Sequence, residues 1–142
     1  MGAFTPLDTR EVKRGDYQLL SDFRYLDSEH GEVRAHGGFF TNYASLKSLH
    51  NVFLFVIFAL IATYGDKSAT IHDYLYSGYP TVNGVYLTRA QIDKLFYRAL
   101  RAEGIARWRA ALFYAGVRVG GKSAFYTEQL PLPDASIGFI TV

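Results

Sequence analysis

The chain contains no cysteine, and that one absence removes disulfides, thiolate metal sites and thiol nucleophiles together. It suits a reducing compartment. The N-terminal stretch "MGAFTPLDTREVKR" has no apolar core of signal-peptide length, and Pro6 stands where a myristoylation motif needs Ser or Thr. The most apolar run, Val52–Ala62, has 11 residues. A bilayer span needs about 20, so this run is expected to be a buried helix. The sequence shows no internal repeat, no dividing linker, no metal-spaced histidine cluster, no nucleotide-binding glycine loop and no Ser-His-Asp order.

What is there is an ordinary globular composition. Of 142 residues, 49% are hydrophobic, 16% aromatic and 20% charged, which excludes a disordered chain and allows one domain with a real core. The 11 tyrosines and 11 phenylalanines read mostly as core. The net charge of +2 is unevenly spread: residues 1–66 carry 6 basic and 8 acidic side chains, residues 67–142 carry 9 and 5. Lys94, Arg98 and Arg101 follow helical spacing along one outer face. They form either a solvated face or a surface for a phosphate-bearing partner.

"YQLLSDFRYLD" alternates, with Tyr17, Leu19, Phe23 and Tyr25 on one side, which predicts a strand. "SEHG" is a turn and "EVRAHGGFFTN" a return strand broken at Gly37-Gly38, so residues 17–42 are expected to form a β-hairpin. The periodicity then becomes helical over 45–121. A first helix is expected over Ser48–Tyr64 and a second over Lys67–Ser77. A third begins at the Thr88 capping box, with Gln91 at its third position, and stops at Gly104. The fourth covers about Ile105–Gly120, apolar along Trp108, Ala111, Leu112, Ala115 and Val119. Residues 122–142 are expected to be an extended tail. The fold class is α+β, one domain over 1–142: a hairpin, then three or four packed helices.

One constellation carries chemistry. His72 and Tyr76, four residues apart, share a face of the second helix, and Asp73 lies one step round. On the third helix Asp93 falls within the stripe Ile92, Phe96, Ala99 and Leu100. A lone carboxylate on an apolar stripe is costly unless donors reach it, and His72 and Tyr76 are the natural donors. Asp93 would then fix the His72 tautomer and leave the second ring nitrogen as a base for water. The alternative is a buried polar network that fixes helix packing. Asp73, facing the same cavity, has the chemistry to hold a hard cation such as calcium. His30 and His36 are expected at the surface, and His50 at a helix start.

The motifs "HDYLY" and "IDKLFYRAL" resemble the two active-site helices of phospholipase A-two, especially its short prokaryotic and fungal type. "LFYAGVRVGG" resembles the tyrosine-bearing helix that closes that fold. The resemblance implies a phospholipase-like helical core with His72 as general base for water, Asp73 as a calcium ligand, and Tyr76 and Asp93 supporting the histidine. A wider stretch, "GGFFTNYASLKSL…IHDYLYSG…LTRAQIDKLFYRALRAEGIARWRAALFYAGVRVGG", is similar to an uncharacterised family common in phage and prophage genomes. That family's usual pattern runs "GFvTDfASiP…HDwlY…R..aD..F". Where it has Asp after Thr, this chain has Asn42, which keeps a carbonyl oxygen for a cation but removes a charge.

Two functions are expected from these readings. The first is a phage virion structural or assembly component, located in the virion or host cytoplasm, oligomeric, with other phage structural proteins as partners. The second is a calcium-dependent phospholipid or ester hydrolase using His72, with Lys94, Arg98 and Arg101 against a phospholipid surface. A nucleic-acid partner ranks below both, because no recognition motif accompanies the basic face.

Overall fold

The computed structural model describes residues 3–13, 16–41, 66–120, 122 and 125–133. Six strands precede three helices in the order β1 Ala3–Phe4, β2 Thr9–Lys13, β3 Asp16–Leu19, β4 Phe23–Asp27, β5 Gly31–Ala35, β6 Phe40–Thr41, α1 Asp66–Tyr76, α2 Arg89–Ala102 and α3 Arg107–Gly120. The fold is α+β. The expected first helix, Ser48–Tyr64, and with it the run Val52–Ala62 and His50, lies outside the described residues. Among those described, no helix is long and apolar enough to cross a membrane.

The expected hairpin is there, but each of its arms is cut in two. β4 and β5 pair antiparallel around the Asp27–Gly31 turn, while β3 and β6 continue the arms into a second sheet. The sheets have strand orders β1-β4-β5 and β2-β3-β6. Both arms change sheets at the same level. There Gly37 N–H donates to Asp22 Oδ1 at 2.7 Å, and Gly38, at φ 92°, donates to Leu19 O at 2.8 Å. β1 and β2 come from the N-terminal stretch, for which the sequence reading had no element.

The period-two pattern of β4 is read directly in its burial: Phe23, Tyr25 and Asp27 face inward and Arg24 and Leu26 outward. An inward Asp27 needs donors, and it has five. Tyr25 OH, the Glu29 and His30 N–H groups, and Arg98 through both Nε and Nη2 surround it, the last two at 3.0 Å. This ion pair ties the hairpin turn to α2. Burial alone would raise the Asp27 carboxyl, but the Arg98 guanidinium and the His30 and Tyr25 donors outweigh it and hold it below its usual value. A carboxyl depressed in the folded state stabilises fully above the ordinary aspartate value of about 3.9 and loses that contribution as pH falls. The urea midpoint is therefore expected to fall on acidification below about pH 4, and an Asp27→Asn variant should flatten that limb.

α1 is central, with every residue from Ser68 to Tyr76 buried. α2 begins at the expected capping box: Thr88 accepts from Gln91 N–H, and the Gln91 side chain accepts from Thr88 N–H. α2 buries Ile92, Asp93, Leu95, Phe96, Ala99 and Leu100. α3 buries Ala110, Phe113, Gly116 and Val117, which is not the expected face: Trp108 and Val119 are 55% and 79% exposed. Beyond α3 the chain folds back. Leu130 N–H donates to Gly78 O at 2.9 Å, Tyr86 OH to Leu130 O at 2.6 Å, and the Phe125 ring stands edge-on to Tyr76 at 5.3 Å.

Candidate active site

α1 places four polar side chains, Ser68, Thr70, His72 and Asp73, in the protein interior, and each needs a partner. Ser68 donates through both its N–H and its hydroxyl to Glu103 Oε1 at the far end of α2. Thr70 donates to the Asp66 carbonyl one turn back at 2.8 Å. Asp73 accepts from Thr41 Oγ1 at 2.6 Å. His72, fully buried, turns to α2.

The expected pairing forms. His72 Nε2 lies 2.8 Å from Asp93 Oδ1, and Tyr76 OH donates to the same oxygen at 2.6 Å. All three side chains are sealed, with His72 and Asp93 at 0% exposure and Tyr76 at 3%. Tyr76 and Phe96 flank the imidazole, with ring centroids 4.0 and 4.6 Å away. A carboxylate only accepts, so the proton on the bonded edge sits on Nε2 and the lone pair on Nδ1. Nδ1 is buried and, among the described residues, has no hydrogen-bond partner. Two further orphans, His36 Nδ1 and Tyr74 OH, belong to a separate aromatic cluster with Phe39 and Tyr79. His36 is thus drawn off the surface where it was expected, because the Gly37-Gly38 bend lays it against α1.

A residue that spacing did not single out completes the network. Arg118, in the last turn of α3, donates from Nη1 to Asp93 Oδ2 at 2.8 Å, and its side chain is 34% exposed. Arg89, at the start of α2, holds it there by donating from Nη2 to the Val117 and Arg118 carbonyls at 2.9 and 2.7 Å, which a helix C-terminus leaves unsatisfied. Asp93 therefore has both oxygens occupied. Burial alone would raise its carboxyl, but the His72 and Tyr76 hydrogen bonds and the Arg118 guanidinium outweigh it and keep Asp93 ionised. Tyr76 moves the opposite way: burial first, then the bond to Asp93, push its hydroxyl above the usual tyrosine value, so it remains a donor.

The cation site expected at Asp73 and Asn42 is described only in part. Asn42 lies outside the described residues. Asp73 is 8% exposed with Oδ2 taken by Thr41, and among the described residues no group of three or more His, Asp or Glu side chains converges on a metal position.

The expected basic face is also partly spent within the chain. Arg98 is locked on Asp27, with Nη1 3.5 Å from Glu29. Arg101 donates from Nη1 to Ile105 O at 2.7 Å, closing the end of α2. Lys94 alone of the three is exposed and, among the described residues, makes no ion pair.

A family model described as "Protein of unknown function (DUF1353)" matches residues 17–117, well over half of the chain. No curated protein and no solved structure matches it.

Proposed function

The chain belongs to that family, and we propose that it is a hydrolase of phospholipid or related ester bonds, with His72 as the general base. One observation carries the reading: the unpartnered, buried Nδ1 of a histidine whose other nitrogen is held by an ionised carboxylate. An orphaned polar atom in an apolar interior costs about 1–3 kcal/mol; His36 Nδ1 bears that cost too, but His72 has in addition a carboxylate on its other ring nitrogen that fixes the free lone pair. The same arrangement is what general-base chemistry needs. Nδ1 takes a proton from water as the water oxygen bonds to the ester carbonyl carbon. Asp93 stabilises the imidazolium, and the proton then passes to the departing alkoxide as the carbon–oxygen bond breaks. Tyr76 and Arg118 hold Asp93 in register. The resemblance of the motifs "HDYLY" and "IDKLFYRAL" to the phospholipase active-site helices is in line with these roles. No step is routed through a metal.

A second reading is favoured by the complete burial of His72 and Asp93. In it the network fixes the packing of α1, α2 and α3, and the protein is a structural component of a phage particle whose partners are other particle proteins. Hydrolysis of phospholipid vesicles by the purified protein, with calcium or with chelator, separates the two. Under the first reading the His72→Gln variant is expected to lose about a hundredfold or more in turnover while remaining folded. A well-folded wild-type protein that turns over nothing in either condition would overturn the hydrolase reading and leave the second.

A further inference from the structure

Between α2 and α3, on the outer surface, lies a groove of about 320 Å³ lined by Lys94, Tyr97, Arg98 and Tyr114. That volume is at the lower end of small-molecule sites. The Tyr97 and Tyr114 rings meet edge to face, centroids 6.4 Å apart at 79°, so they form two apolar walls set at a corner. Of the two cations, Arg98 is neutralised by Asp27 and Glu29, whereas Lys94 has no counter-charge among the described residues. The groove thus offers an apolar corner with one unmatched positive charge at its rim.

We propose that this groove binds a medium-chain fatty-acid anion, its alkyl chain against Tyr97 and Tyr114 and its carboxylate at the Lys94 ammonium. Charge matching selects the carboxylate. A phosphomonoester carries about −1.5 to −2 charges near neutral pH, and with Arg98 already occupied Lys94 balances only one of them. A neutral chain leaves the ammonium without a partner. The site is separate from His72 and stands whether or not His72 is catalytic.

Titration of ¹⁵N-labelled protein with sodium decanoate, below its micellar range, tests this. Saturable shifts are expected at the amides of Tyr97, Arg98 and Tyr114. Affinity should fall roughly tenfold in Lys94→Glu and persist in Lys94→Arg, as for an exposed ion pair whose charge is reversed. Lys94 is exposed, so both variants are expected to keep the wild-type urea midpoint. Decanol binding as tightly as decanoate, decyl phosphate binding tighter, or decanoate shifts indifferent to Lys94→Glu would each overturn the proposal. So would the same shifts appearing on concentrating the protein alone, which would mark the groove as a contact between copies.

Discussion

Replacing Asp93 with alanine is expected to cost about 4 kcal/mol of folding stability, within the 3–5 kcal/mol typical of breaking a buried charge pair. The loss is large because one side chain serves three others. Without it the His72 Nε2–H and the Tyr76 hydroxyl are left buried with no acceptor, and Arg118 loses the carboxylate that compensates its charge. Arg118→Gln should cost less, since the guanidinium is 34% exposed and the buried carboxylate keeps its bonds from His72 and Tyr76. Asp93→Asn separates packing from chemistry. The amide fills the same space, yet it has one acceptor oxygen where the carboxylate has two. An amide nitrogen turned toward His72 donates to Nε2 and moves the ring proton to Nδ1, removing the lone pair that would act as base. The urea midpoints of the three variants and the ¹⁵N shifts of the His72 ring test this. A fully stable Asp93→Ala protein would show that the network carries little of the fold.

The site's inner half was legible because burial and polarity conflict there. Asp93 on an apolar stripe and His72 with Tyr76 on one helical face each require a partner, and helices joined by a short loop supply it. Arg118 was not legible in the same way. Following Arg107 and Arg109 on the same helix, it reads as one more surface charge, and only the approach of α3 to α2 turns it inward. α3 itself shows why periodicity alone falls short. It carries two stripes of similar apolar content, one through Trp108, Ala111, Leu112, Ala115 and Val119, the other through Ala110, Phe113 and Val117. The partner decides between them: Phe113 meets Phe96 edge to face at 5.5 Å, and the rotation that seats it also carries Arg118 to Asp93. Trp108 is left outside, with the Arg109 guanidinium over its ring at 5.0 Å.

The strands follow the same logic. The alternation of β4 was visible because one face is buried against α1 and α2. β1 and β2 were not, since a two-residue strand and an exposed edge strand carry no period. The sheet change at residues 20–22 and 36–39 had only the Gly37-Gly38 pair as its signal, and glycine pairs mark turns more often than bends between sheets.

Gly78→Ala is expected to be the other costly substitution, through backbone alone. Gly78 ends α1 at φ 107°, outside the regions that a residue with a Cβ occupies comfortably. That strain amounts to about 1–3 kcal/mol. A Cβ there would also run into the Glu128 carbonyl oxygen and stand 3.2 Å from Cβ and Cγ of Tyr126. The carbonyl is backbone, so relief requires moving the returning segment 125–133 as a whole. Two anchors resist: the Leu130 N–H bond to Gly78 O and the Tyr86 hydroxyl bond to Leu130 O. The variant is therefore expected to lose roughly 2–4 kcal/mol, with the Leu130 amide exchanging faster than the amides of α2. Because Phe125 stands edge-on to Tyr76, release of the segment also uncovers one side of the Asp93 network. Gly78→Ala then loosens the cover over Tyr76 without altering any residue of the network. If the hydrolase reading is right, its turnover should survive where that of His72→Gln does not; if the network only packs helices, neither variant should turn over an ester.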